Sequence, residues 1–168
     1  MDELNDAPGQ RSYGAGGGVN RPNYWLIAGG WLSLAAAALH LAVIVGGPGW
    51  YRFFGAGEDM ARAAERGELT PHLITLGIVA LLTIWAAYAF AGAGLIRRLP
   101  LMRTALVAIS AVYLLRGLLI APMLVVAEPT RFGIWSSLIV LAYGIAYAVG
   151  TWRAWPELKR RKVHALGP

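Results

Sequence analysis

From Leu101 to Val126 the chain reads LMRTALVAISAVYLLRGLLIAPMLVV. That is longer than the ~20 apolar residues a helix needs to cross a bilayer. Arg116 stands near its middle, and the run holds no acidic residue. A guanidinium in hydrocarbon costs about 2.5–3.5 kcal/mol on insertion scales, so this position calls for a partner.

Three more apolar runs accompany it, and together they predict spans over about 24–45, 72–96, 101–126 and 132–152. Only 14% of the residues are charged and 57% are hydrophobic. Soluble domains carry about 25% charged residues, so the deficit points to a membrane protein. No cysteine is present, which removes disulfides, thiolate catalysis, thiol zinc sites and Fe–S clusters. The net charge of +6 comes largely from arginines between apolar runs. It reads as a topology signal, with no nucleic acid implied.

Residues 1–20 include the glycine-rich Gly14–Gly18 and lack apolar periodicity, so a flexible tail is expected. In the first span, Tyr24 and Trp25 suit the interface, and Gly29, Ser33 and Ala37 form a small-residue stripe for close helix approach. The span is about twice as long as a 7–15-residue signal-peptide core, which favours a retained anchor. Residues 46–70 form the longest loop. Its aromatics Trp50, Tyr51, Phe53 and Phe54 suit the headgroup level, and Glu58–Glu68 reads as a short amphipathic helix lying on the membrane or capping the bundle. Glu58, Asp59, Glu65 and Glu68 are expected on its solvated face, with a catalytic role as the rarer reading. Thr70 is expected to cap the second span, with Pro71 in its first turn. Pro122 predicts a kink in the third span. Ala142, Ala146 and Gly150 give the fourth a second small-residue stripe. Residues 153–168 are expected to be a basic tail, with Lys159, Arg160, Arg161 and Lys162 touching anionic lipid headgroups.

Ten of the Lys and Arg fall on the tails and the 97–103 turn, against Arg52, Arg62, Arg66 and Arg131 on the other side. The positive-inside rule then puts both termini in the cytoplasm. The Ala, Gly and Arg richness suggests a bacterial inner membrane. The expected fold is an all-α four-helix transmembrane bundle.

Counting 1.5 Å per residue from the cytoplasmic edge places His40, Arg116, Thr83 and Ser137 at ~20–22 Å depth, one from each helix. Polar groups at that depth should turn inward. An outer-half pocket is therefore expected around Arg116 and His40, with Thr83, Ser137 and Tyr113 in its wall and Glu58, Asp59, His72 and Glu128 as outer-loop candidates. Its occupant would be an amphipathic anionic or carbonyl-bearing molecule, such as a lipid or quinone. Alternatively Arg116 is satisfied within the bundle or snorkels outward, and the small-residue stripes bind a membrane-protein partner or a second copy. A membrane redox carrier or small transporter is the weakest reading. No cofactor is expected, although a quinone or haem stays open. His72 lies ~14 Å above His40 by the same count, a poor match to shared haem ligation. Tyr88, Tyr113, Tyr143 and Tyr147 suit either a cofactor wall or packing with a hydroxyl handle. No zinc-protease, phosphate-loop or serine-hydrolase motif is present, so no enzyme is expected. In outline, residues 24–152 resemble the layout of small bacterial four-helix membrane proteins, including the DoxX-like group. The likeness is one of outline and assigns no functional residue.

Overall fold

The computed structural model describes residues 22–119 and 131–159. Among them the only regular structure is helical: α1 Tyr24–Gly46, α2 Pro48–Phe53, α3 Glu58–Glu65, α4 Thr70–Gly92, α5 Met102–Leu118 and α6 Arg131–Lys159. Among the described residues, three helices are long and apolar enough to cross a membrane, where four were expected: Tyr24–Gly46, Thr70–Gly92 and Phe132–Leu158. α5, with 17 described residues and Arg103 and Arg116 along it, is not one of them. Pro122, Glu128, Arg160, Arg161, Lys162, the expected tail 1–20 and residues 160–168 of the expected tail 153–168 lie outside the described residues, as does the side chain of Lys159.

Local chemistry sets the boundaries. The Asn23 side chain accepts from Leu26 N at 3.3 Å and caps α1, while its amide nitrogen donates to Gly150 O at 2.7 Å. Gly47, at φ 69°, ends α1, and Pro48 opens α2. Thr70 does not cap α4. It is the first helical residue, after Leu69, and no side chain caps that end. α4 stops at Gly92, four residues before the expected Ile96. There Gly94 takes φ 80° and Leu95 N returns to Phe90 O at 2.9 Å, satisfying an end carbonyl. α6 instead continues past Trp152 through Pro156 to Lys159. Its 29 residues therefore include the start of the expected basic tail, at a length of ~43 Å.

The long helices pack as two antiparallel pairs, α1 with α4 and α5 with α6, joined mainly where α1 meets α6. Close approaches sit at glycines. A Cβ on Gly117 would lie 2.8 Å from the Leu141 backbone, and one on Gly144 2.8 Å from Leu114. Gly29 faces the Tyr147 ring and Gly150 faces Leu26, so these members of the two expected small-residue stripes serve packing within the chain, while Ala142 is exposed. α1 and α5 stand diagonally and make no close backbone contact.

α2 and α3 cap the end where α1 leaves and α4 begins. Tyr51 is buried between Val43 and Ala61 and does not sit at the surface with Phe53. The expected single helix over 58–68 ends at Glu65, and Gly67 turns the chain at φ 74°.

Candidate functional site

The core between the helix pairs holds a polar cluster drawn from all four long helices. Ser33 Oγ of α1 lies 3.0 Å from the Tyr113 hydroxyl of α5 and 2.9 Å from the Tyr147 hydroxyl of α6. Tyr147 in turn donates to Trp85 O of α4 at 3.1 Å. Each hydroxyl has one proton, and a carbonyl only accepts. Tyr147 spends its proton on Trp85, so Ser33 donates to Tyr147 and Tyr113 donates to Ser33. The chain of bonds therefore has one direction, Tyr113 to Ser33 to Tyr147 to the Trp85 carbonyl. Rings surround it: Tyr113 lies edge-on to Trp85 at 4.9 Å and to Tyr143 at 5.6 Å. Ser33 and Tyr147 are fully buried.

The expected Arg116–His40 pocket is not assembled from these described residues. Arg116 lies on the exposed side of the last turn of α5, and no described side chain bonds it. The buried face of α5 runs through Met102, Leu106, Ile109, Ser110, Tyr113 and Gly117. Arg116 sits about 100° around the helix from Gly117, at the edge of that face. His40 is half-buried and donates from Nδ1 to Ala36 O of its own helix at 2.7 Å. Thr83 is exposed, and its hydroxyl returns to Val79 O at 2.8 Å. Ser137 is buried and Tyr113 belongs to the tyrosine cluster. His40 and Tyr113 thus point to different surroundings on diagonal helices.

Among the loop candidates, His72 is half-buried, stands edge-on to Tyr51 at 6.2 Å, and leaves Nδ1 without a partner. Glu58 is not simply solvated. Arg52 donates to it from Nε at 2.9 Å and Nη2 at 3.0 Å, and to Glu65 from Nη1 at 2.7 Å; Arg62 adds a bond to Glu58 at 3.0 Å. The hydrogen bonds from Arg52 hold the Glu58 carboxyl down at about 2 and lower that of Glu65 as well. Arg66 pairs with Glu68 at 2.7 Å, and Asp59 lies in the first turn of α3.

Sequence reading missed Ser33 and Trp85 as members of a polar site, and it missed Arg103. The guanidinium of Arg103 stacks over Trp155 at 5.3 Å, and its Nε is buried without a partner. Arg153 lies over Trp25 in the same manner at 5.7 Å. The spacing of Arg103 and Trp155 on neighbouring antiparallel helices was the available signal. No protein family, curated protein or solved structure matches the chain.

Proposed function

We propose that this chain is a four-span integral protein of a bacterial inner membrane, with both termini cytoplasmic. It acts there as a binding or accessory protein for an amphipathic anionic or carbonyl-bearing molecule, a lipid or a quinone. Binding, and not catalysis, is its role. The molecule meets Arg116 from outside the bundle and not in an interior pocket.

Three apolar helices of spanning length support the membrane setting. The fourth span rests on how α5 follows α6. Gly117 meets Leu141, Gly144 meets Leu114, and Arg103 meets Trp155, an antiparallel register kept along the length of α5. A helix packed that way against a spanning helix runs through the bilayer beside it, in the opposite sense. Its 17 described residues cover ~25 Å of a ~30 Å core.

One observation carries the binding role: Arg116 is exposed among exposed Leu115, Leu118 and Leu119, with no partner among the described residues. A cation on an apolar face draws an anion or a carbonyl, because leaving it alone in hydrocarbon is costly. Against the rival role as a structural subunit, Gly29, Ser33, Ala37, Ala146 and Gly150 of the two stripes are buried inside the chain, with Ala142 left exposed. Arg116→Leu is the test. Native mass spectrometry of the folded variant should show loss of the lipid or quinone that copurifies with the parent protein. Unchanged small-molecule retention would reject the role, and loss of a partner subunit's mass would transfer it to the structural reading.

A further inference from the structure

We infer that the groove between α5 and α6 at the arginine-rich end holds one acyl chain of an anionic phospholipid, with its phosphate on Arg103. The inference rests on the membrane-spanning reading, because it needs a bilayer as the source of the lipid. It is independent of Arg116.

The groove has a volume of ≈ 520 Å³. That falls within the roughly 300–1,000 Å³ usual for ligand sites. Val107, Ala111 and Leu114 line it from α5, and Ala148, Trp152 and Trp155 from α6. On each helix the spacing is three or four residues, so each set forms a continuous stripe. Arg103 continues the α5 stripe one turn beyond Val107. From Leu114 to Arg103 the stripe runs ~17 Å, close to half of a ~30 Å hydrocarbon core. It thus spans a single leaflet.

The two polar side chains in the lining do not make it a polar site. Ser110 turns its hydroxyl onto Leu106 O at 2.7 Å. Thr151, 5% exposed, has a hydroxyl with no partner. A cation closes one end: the Arg103 guanidinium, 5.3 Å from the centroid of the Trp155 ring, with Nε unpaired. The ion pairs among the described residues all involve Arg52, Arg62 or Arg66 at the opposite end of the bundle, so none satisfies Arg103. An apolar trough one leaflet long with an unneutralised guanidinium at its interfacial end matches one chain and one phosphate. Tryptophan walls fit the same place, since indoles favour the headgroup boundary. The ester carbonyl of such a lipid would also bring an acceptor near the depth of Thr151.

The test uses the full chain in nanodiscs of phosphatidylcholine with a minor fraction of phosphatidylglycerol, matched in acyl chains, followed by native mass spectrometry. The parent protein should retain one phosphatidylglycerol that survives Arg116→Leu. Arg103→Gln should lower that retention roughly tenfold, the effect of one charge-assisted hydrogen bond. Ala111→Phe, at an exposed position in the trough, should remove both lipids from the site. Should that variant misfold by circular dichroism, Val107→Trp takes its place. Arg116→Leu should leave this phosphatidylglycerol in place, so the two sites are read separately. Equal phosphatidylglycerol retention by the parent, Arg103→Gln and trough-filling variants would overturn the inference. So would a parent protein that keeps no lipid and instead forms a dimer which Ala111→Phe dissociates.

Discussion

At the scale of single residues, Ser33 is the middle member of the buried hydroxyl chain. It accepts from Tyr113 and donates to Tyr147, so its loss strands a proton on one tyrosine and a lone pair on the other. Tyr113→Phe removes only a donor, and the Ser33 proton keeps its acceptor. We therefore expect Ser33→Ala to cost more than Tyr113→Phe, by about 1 kcal/mol, the usual net worth of a protein hydrogen bond. Unfolding of both variants in mild detergent measures the difference, and equal stabilities would contradict the assigned direction of the bonds. The identity of this hub was poorly legible in the sequence. The depths of Thr83 and Ser137 count from Ile96 and Trp152 as helix edges, but α4 stops at Gly92 and α6 runs on to Lys159, so both shift. His40 counts from Trp25, beside the true start of α1 at Tyr24; depth alone does not say that Ser33, and not His40, faces the tyrosines. Arg116 was legible as an anomaly, yet its facing was not. Whether a residue at the margin of a buried face ends up covered depends on the neighbouring helices.

At the scale of elements, the glycines separate contact from open space. Gly117→Ala would place a Cβ 2.8 Å from the Leu141 backbone and force α5 from α6. Overpacking of this kind costs about 1–3 kcal/mol. Gly77 meets nothing within 4 Å, so Gly77→Ala should be neutral or stabilise by up to about 1 kcal/mol through helix propensity. Thermal unfolding of the two variants should move in opposite directions, or Gly77→Ala should not move at all. The α2–α3 cap has a different sensitivity. The folded Glu58 carboxyl is depressed from 4.5 to about 2 by Arg52. A depressed carboxylate adds stability that is fully present above its unfolded value and lost as pH falls through the folded one. Exchange protection over residues 48–65, taken relative to the unstructured rate at each pH, should therefore hold above pH about 4.5 and fall as pH drops toward about 2. Arg52→Gln should lower that protection already at neutral pH. Long helices were readable from apolar length alone, and their stops were readable only in part. Gly47 and Pro48 announced the end of α1. Pro156 lies inside α6, where a tail was expected, and Gly94 sets the α4 end that Arg97 and Arg98 were expected to mark.

At the scale of the whole molecule, the absence of cysteine makes topology directly measurable. Ala56 and Leu95 are both exposed and lie at opposite ends of α4. Single Ala56→Cys and Leu95→Cys variants should react with an impermeant thiol reagent from opposite sides of the membrane, Leu95→Cys from the cytoplasm. Labelling of both from one side would refute the spanning arrangement.

The densest packing is of α1 on α4 and of α5 on α6, and the interface between these halves is thinner. It is crossed by Ser33, Tyr113 and Tyr147, by Asn23 on Gly150, by Leu26 beside Gly150 and by Leu106 beside Gly92. The 93–101 turn is then a tether more than a strut. Severed there and coexpressed as two polypeptides, the halves should each insert as a hairpin and recover one another in the bilayer. The molecule is in that sense a heterodimer strung on one thread.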